Sequence, residues 1–333
     1  MMIMKRHISY AVVGTVCSVA MGLWGCSKQT VERLENEKYP VQFSCVALSD
    51  SEAASAETKV TGENFDAGDR VGLYAYPSSG SIFGEGEDVW GNVPYVALGG
   101  SSQGQLAVDG GKTPICFPAD DAKTMTFKGY YPYSEEMAAN GTLALELADQ
   151  RAGQKGVILY SDNATEKTRT ADFIRLEFRY ALAQVVVNLQ YDQTTMPDED
   201  VAHITAVTLS GTGVQTSGVF SVADGTVSAT AATDGEGTVA LKAGVSTTKG
   251  TVLSGGGKAA TGLVIAVVTP VHTYVAKPKD IEDGFEAGKQ YIYNVTLKGG
   301  GEAEIAGDGE ASILPWEEGN DTTQPPIIGE QEN

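Results

Sequence analysis

Cys26 is the residue of this chain whose position most directly predicts chemistry. It follows Leu-Trp-Gly, after the basic pair Lys5-Arg6 and an apolar run over residues 8–24. That order of charge, apolar run and small residue is typical of a secretory signal, and Leu-x-Gly-Cys is the bacterial lipobox. We therefore predict that residues 1–25 are a signal peptide and that Cys26 is acylated, with palmitate among its lipid chains. The alternative, a signal anchor, is disfavoured because the apolar run is shorter than the ~20 residues of a membrane span.

The other cysteines leave one question open. Cys17 is removed with the signal peptide, so Cys45 and Cys116 are the remaining pair. Export permits a disulfide between them. Each also lies in a strand-like apolar run, so two buried thiols are equally compatible with the sequence.

The sequence contains few patterns that are typical of catalytic or metal-binding sites. The mature chain keeps His203 and His272, which are far apart in the sequence. Ser246-Thr-Thr-Lys249 matches a serine acyltransferase motif, but its companion motifs are missing or in reversed order. The glycine run before Lys258 lacks the residues of a phosphate loop. We predict no metal, no cofactor and no enzymatic activity.

Charge excludes one class of partner. Acidic residues outnumber basic residues 43 to 23, which gives a net charge of −20. Such a chain repels phosphate backbones, so we predict no nucleic-acid binding. With 42% hydrophobic residues in patterned runs, the chain is not predicted to be disordered.

The apolar periodicity is that of β-strands almost throughout. Val41, Phe43 and Cys45 alternate with polar residues, and many further short runs rich in β-branched and aromatic residues are separated by turn residues. A short helix is predicted only at Ser134–Ala139. This spacing, with 40 glycines, favours two β-sandwiches in series. The predicted organisation is signal peptide 1–25, tether 26–39, N-terminal β-sandwich 40–165 and C-terminal β-sandwich 166–333, with the boundary in the polar run 161–172.

Five segments, in order behind the lipobox, resemble patterns of the fimbrillin family, also called type V pilins. They are Phe65-Asp-Ala-Gly-Asp-Arg-Val-Gly-Leu-Tyr-Ala, Phe127-Lys-Gly-Tyr-Tyr-Pro-Tyr-Ser, Leu176–Leu189, Phe285–Leu297 and Ile313-Leu-Pro-Trp-Glu-Glu-Gly. The resemblance implies two tandem transthyretin-like β-sandwich domains. It also implies a lipid-anchored protein of the outer membrane and cell surface that forms part of a fimbria.

The same resemblance implies assembly by strand exchange. In the family, a trypsin-like protease cuts behind the first strand, and a strand of another subunit fills the groove that is left. Here the removable strand would be Val41–Ala47, with Val41, Phe43 and Cys45 on its apolar side, and the processing site would be Lys59. Arg33 precedes the strand, so a cut there would detach only the tether. The implied partners are other fimbrial subunits, the outer membrane and a host or glycan ligand.

The C-terminal tail departs from the pattern of a strand donor. After Trp316 its large apolar residues are Ile327 and Ile328, and Pro325-Pro326 cannot donate ladder hydrogen bonds. This favours an accessory or tip subunit over a repeating stalk subunit. The alternative function is a non-polymerising, glycan-binding surface lipoprotein, in which Trp90, Tyr95, Tyr131 and Tyr133 would stack on sugars.

Overall fold

A computed structural model describes residues 39–48, 65–102, 104–153, 156–192, 194–196, 203–230, 236–244, 246–253 and 257–316. Regular secondary structure within these residues consists of β-strands and two short 3₁₀ turns, which confirms the all-β prediction. None of the described residues belong to a helix that is long and apolar enough to cross a membrane.

The strands and turns follow one another without long helical connections. In chain order they are β1 (Tyr39–Pro40), β2 (Phe43–Ala47), β3 (Arg70–Pro77), β4 (Trp90–Ala97), a 3₁₀ turn (Gly100–Ser102), β5 (Gln105–Val108), β6 (Cys116–Phe117), β7 (Met125–Tyr131), β8 (Thr142–Glu146), β9 (Leu159–Lys167), β10 (Ile174–Tyr180), β11 (Ala183–Tyr191), β12 (Ala206–Thr212), β13 (Ser217–Ser221), β14 (Val227–Ala229), β15 (Glu236–Leu241), β16 (Thr247–Val252), β17 (Thr261–Val268), β18 (Thr273–Ala276), β19 (Lys289–Lys298), β20 (Glu302–Ile305), a second 3₁₀ turn (Gly307–Gly309) and β21 (Ser312–Pro315).

The predicted helix at Ser134–Ala139 is wrong. These residues form turns, and the Ser134 hydroxyl accepts a hydrogen bond from the Glu136 N–H at 3.1 Å. Six residues gain too few helical hydrogen bonds to offset the cost of nucleation, and a serine that bonds its own backbone favours a turn.

The first main sheet closes on itself. Its strand order is β10-β2-β5-β4-β3-β7-β9, and β9 pairs again with β10. The interior is filled by large side chains such as Phe43, Leu73, Phe127 and Phe178, each at most 1% exposed. We refer to this element as the closed sheet.

The second main sheet has the order β15-β12-β17-β18-β20-β19-β11-β16, with β21 also paired to β19. Its end strands, β15 and β16, are consecutive in the chain. Leu241 of β15 packs on β16 so closely that a Cβ on Gly250 would lie 2.1 Å from its Cδ2. The sheet therefore curves until its two ends meet, and its inner side forms a second core around Val187, Ile265 and Tyr293.

The chain first passes from the first core to the second between Leu182 and Ala183, and it returns to the first core at Phe220, Val222, Leu253 and Trp316. The polar run expected to form the boundary instead contains most of β9, which pairs with β7. Only Ser161 and Ala164 of that run face the interior, at 1% and 0% exposure. A polar strand is stable here because its neighbours supply the pairing while its remaining side chains face outward. The predicted boundary between 165 and 166 falls inside this strand.

Candidate functional site: the slot occupied by strand β2

Strand β2 lies between two strands that are distant from it in the sequence. It pairs in parallel with β10 along Ile174–Phe178 and antiparallel with β5 at Leu106 and Gln105. Within the described residues, Ile174–Phe178 have no other ladder partner, because β9 pairs with β10 only at Arg179 and Tyr180. Strand β2 therefore closes the sheet.

The inward side of this segment is deeply buried. Val41, Phe43 and Cys45 are 5%, 0% and 3% exposed. The Phe43 ring meets Tyr95 and Phe127 edge-on, with both centroid distances at 5.3 Å. Val41 lies just before β2, and because side chains of an extended chain alternate between faces, this continuous stretch delivers all three residues to the same interior. The structure thus brings together the three residues predicted for the removable strand.

We call the space that β2 occupies the strand slot, and its walls are Tyr95, Leu106, Phe127 and Leu176. The two leucines lie opposite β2 residues on the flanking strands. The Tyr95 hydroxyl accepts a hydrogen bond from the Ile115 N–H at 2.9 Å. Burial raises the pKa of Tyr95 to about 12, although that hydrogen bond acts in the opposite direction. The slot is therefore an apolar groove with one satisfied polar group in its wall.

Both flanks of the stretch between residues 48 and 65 meet at Phe178. The Leu48 N–H donates to the Phe178 carbonyl at 2.7 Å. Phe65 packs edge-on against the Phe178 ring, with centroids 5.1 Å apart. The chain therefore leaves β2 and returns to the body at the same point of β10.

The segment before β2 is held by exposed interactions. The Arg169 guanidinium lies 4.1 Å above the Tyr39 ring, and its Nη2 lies 3.3 Å from the Asp121 carboxylate. Interactions of this exposed kind contribute about 0–1 kcal/mol each. These exposed contacts therefore add little to the pairing of β1 with β6 and the packing of the buried face of β2.

Cys45 and Cys116 are two buried thiols and not a disulfide. The Cys116 thiol lies 3.4 Å from the Pro114 carbonyl, to which it donates. Burial, with a smaller contribution from Asp69, raises the pKa of Cys45 to about 12. A neutral, buried thiol is chemically inert, and no covalent bond of the Cys45 side chain ties β2 to the rest of the molecule.

We expect the free energy of unfolding to decrease as the pH rises above about 9, in part because of Cys45. The unfolded chain loses this proton near the ordinary pKa of 9.0, whereas the folded protein keeps it until about 12. The contribution is complete below pH 9 and is lost between pH 9 and 12, at up to about 1.4 kcal/mol per pH unit. Urea unfolding of the parent protein and the Cys45→Ala variant across this range measures it. The variant should lose less stability, and parallel pH profiles would contradict the assignment.

Several predicted site residues lie outside the described residues. These are Cys26, Lys59, Arg33 and the tail after Trp316. The structure therefore describes β2 and its slot, while removal of the strand, lipidation and processing stay predictions.

The four aromatic residues of the glycan-binding alternative do not form one open platform. Tyr95 is 2% exposed and forms a wall of the strand slot. One face of the Tyr133 ring is covered by the Arg70 guanidinium, 4.6 Å from the ring centroid. Sugar stacking requires accessible aromatic faces, so this group provides no common binding surface.

Among the described residues, no group of three or more histidine, cysteine or acidic side chains could hold a metal ion. His203 precedes β12, and His272 lies in the turn between β17 and β18. Neither histidine adjoins the strand slot in the sheet order. The residues that sequence reasoning missed are Leu106 and Phe178, because nothing in the local sequence signals which distant strand will pair with β2.

Comparison with known proteins identifies relatives over most of the chain. A family model described as "Fimbrillin-like" matches residues 58–316. A curated protein of Bacteroides uniformis, named "Putative fimbrium subunit Fim1C", is 26% identical over 322 residues, covering 95% of this chain and 96% of the relative. Both describe fimbrial structural proteins, and this confirms the prediction that the chain is not an enzyme.

Solved structures share the fold. A crystal structure from Bacteroides uniformis, described as a "putative cell adhesion protein", matches with a TM-score of 0.61 and 20% identity, covering 84% of this chain and 98% of that chain. A similarly described protein from Bacteroides ovatus matches with a TM-score of 0.60 and 17% identity, covering 84% and 99%. The family match spans most of the chain, from just before Lys59 to Trp316, and agrees with the resemblance seen in its strand motifs, so the chain belongs to the fimbrillin-like family.

Proposed function

We propose that this fimbrillin-like chain is a fimbrial subunit that accepts a strand from another subunit in the strand slot. The observation that carries the proposal is the position of β2, which closes the sheet between β10 and β5. Its departure would leave the ladder groups of Ile174–Phe178 unpaired beside an apolar groove. An incoming strand would pair these backbone groups again and cover the apolar groove. Its backbone hydrogen bonds would supply affinity, and the alternate side-chain pockets would supply specificity.

The processing step is proposed to be a cut after Lys59. This residue lies between Leu48 and Phe65, the two flanks that meet at Phe178. A cut there leaves β2 attached by packing and hydrogen bonds alone, while Phe65 keeps the new N-terminal segment on the body. The family-model match begins at residue 58, next to Lys59. That boundary is expected if the mature family domain starts near the cut.

Release of the strand also requires that no covalent bond retains it. Cys45 and Cys116 are separate thiols, which meets this requirement. A disulfide between them would have tethered β2 to β6 after processing.

The lipid anchor and location are proposed from the N-terminal sequence. Cys26 would carry the acyl chains that hold the precursor in the outer membrane, with residues 26–39 as the tether. The tether, β2 and Lys59 would then follow one another along the chain between the lipid on Cys26 and the body of the protein. A cut at Lys59 would therefore separate the body from the lipid unless β2 stays in its slot.

An accessory or tip position is proposed for the subunit. A strand donor needs ~5–7 alternating apolar and polar residues. The tail after Trp316 has only Ile327 and Ile328 as large apolar residues, directly behind two prolines. A strand-accepting subunit whose tail lacks this pattern would lie at the end of a fimbria.

The two cores support a division into two β domains, as the family resemblance implies. We propose that the change of core between Leu182 and Ala183 marks the division. On this view β10 belongs to the N-terminal domain, where it forms one side of the strand slot.

Limited trypsin digestion tests the proposed function. We expect a cut at Lys59, and a labelled peptide that copies residues 39–48 should then enter the protein and displace the original strand. Uptake of the labelled peptide by the protein is read out on a native gel, and the cut is read out by intact mass. The Lys59→Gln variant should stay uncut between Leu48 and Phe65 and exclude the peptide.

A peptide with Phe43→Asp is the matched control, because a carboxylate cannot enter an apolar slot without a partner. It should not be incorporated into cut protein. Equal uptake of both peptides would contradict binding in the strand slot. A cut that never permits uptake, even in mild urea, would contradict strand exchange.

A further inference from the structure

A cavity of about 440 Å³ lies on the outer face of the closed sheet. Tyr160 of β9 and Arg179 of β10 lie directly opposite each other in the ladder and line it. Gly225, Thr226 and Val227, at the turn between β13 and β14, line another side. This volume lies within the usual range for small-molecule pockets.

The turn is fixed over the sheet, so the cavity is preformed. The Lys128 ammonium donates to the Tyr160 hydroxyl at 2.9 Å and to the Ala223 carbonyl at 2.5 Å. Gly225 has a φ of +73°, and a Cβ at this position would lie 2.1 Å from the Tyr160 ring. Only glycine permits this close approach, because any side chain here would push the turn away from the ring.

Arg179 is the unexplained residue of the cavity. Its Nε is buried and has no hydrogen-bond partner within the described part of the chain. Nor does it form an ion pair there with Asp162 or Asp224, the two carboxylates that also line the cavity. The guanidinium thus lines the cavity without a protein acceptor among the described residues, and its outer N–H groups remain for an acceptor that a ligand supplies. Carboxylates are the acceptors that guanidinium groups bind best.

The two aspartates determine which charges the ligand must carry besides its carboxylate. Asp224 Oδ1 accepts hydrogen bonds from the Thr226 N–H at 3.1 Å and from its hydroxyl at 2.8 Å, which fixes the carboxylate. One guanidinium and two carboxylates give the lining a net negative charge. A simple anion is therefore disfavoured, and the ligand must also carry positive charge opposite Asp162 and Asp224.

We infer that this cavity binds a small zwitterion of the basic amino acid class, with its carboxylate on Arg179 and its ammonium groups on Asp162 and Asp224. The ammonium and carboxylate groups of an α-amino acid are bonded to the same carbon, which suits the neighbouring positions of Arg179 and Asp162 on β10 and β9. A basic side chain reaches the second aspartate on the turn. This site is separate from the strand slot, and the inference does not depend on strand exchange.

Isothermal titration of the purified protein with three probes tests the inference. L-Lysine carries all three charges, cadaverine lacks only the carboxylate, and 6-aminohexanoate lacks only the α-ammonium. We expect L-lysine to bind most tightly, with losses of about tenfold or more for each of the other probes. Absence of L-lysine binding at millimolar concentration would overturn the inference.

Two variants test which side chain contacts each charged group of the ligand. Arg179→Gln should reduce L-lysine affinity about tenfold or more and leave cadaverine binding unchanged. Asp224→Asn should weaken L-lysine and cadaverine together. Arg175→Gln is the matched control, because Arg175 lies on the same face of β10, pairs with Glu177 at 3.5 Å and does not line the cavity. Equal losses in the Arg175 and Arg179 variants, or an Arg179 loss that cadaverine shares, would overturn the assignment.

Discussion

Replacing Phe43 with alanine is expected to lower the free energy of unfolding by about 3–5 kcal/mol, the range for a fully buried phenylalanine. Its ring is 0% exposed and packs edge-on against Tyr95 and Phe127. Truncation removes these contacts and leaves a cavity in the strand slot. The flanking strands cannot move in to fill it, because the slot walls belong to a sheet that is closed all the way round.

Urea unfolding, followed by tryptophan fluorescence, measures the effect. Ser44→Ala is the control, since Ser44 is a neighbour on β2 that is not fully buried, and its change should be about 0.5 kcal/mol or less. A Phe43→Ala loss below about 1 kcal/mol would mean that the slot does not depend on this ring. In the proposed function, the same variant should also lose its cut strand more readily, because the strand is then held mainly by its backbone.

Trp316→Ala should produce a loss of similar size, about 3–5 kcal/mol. Trp316 is 1% exposed and stacks on Tyr180, with centroids 4.1 Å apart and planes 8° from parallel. Its backbone N–H donates to the Gly288 carbonyl at 2.7 Å, a bond that alanine would keep, whereas its indole N–H is buried without a partner among the described residues. The residue thus fixes the end of β21 against β10 and the start of β19, and its loss should release the C-terminal strand.

Thermal unfolding and hydrogen exchange of β21 measure this. Leu314→Ala, two residues earlier and 40% exposed, is the control and should cost about 1 kcal/mol or less. If Leu314→Ala proved as damaging as Trp316→Ala, the stability would lie in the strand pairing and not in the tryptophan. Rapid exchange of β21 together with an unchanged melting temperature would indicate that the C-terminal strand opens independently of the two cores.

The local sequence predicted the strand that fills the strand slot but not the strands that flank it. The alternation of Val41, Phe43 and Cys45 identified a strand with one buried face, and side-chain period alone carries that information. The partner strand β10 was not predictable, because parallel pairing joins segments more than a hundred residues apart and leaves no local signal. Tyr95 was assigned to a surface platform for the same reason, since only the fold places its ring against Phe43.

Two properties were determined by the sequence itself: the all-β class, through strand periodicity and turn residues, and the family, through five ordered motifs. The tertiary structure decided what depends on distant neighbours. It made β9 a strand through a polar run, left Cys45 and Cys116 as separate thiols, and brought Arg179 beneath the turn at Gly225. Periodicity is set by successive residues along one chain, whereas pairing, cysteine chemistry and cavities are set by which distant segments come to lie side by side.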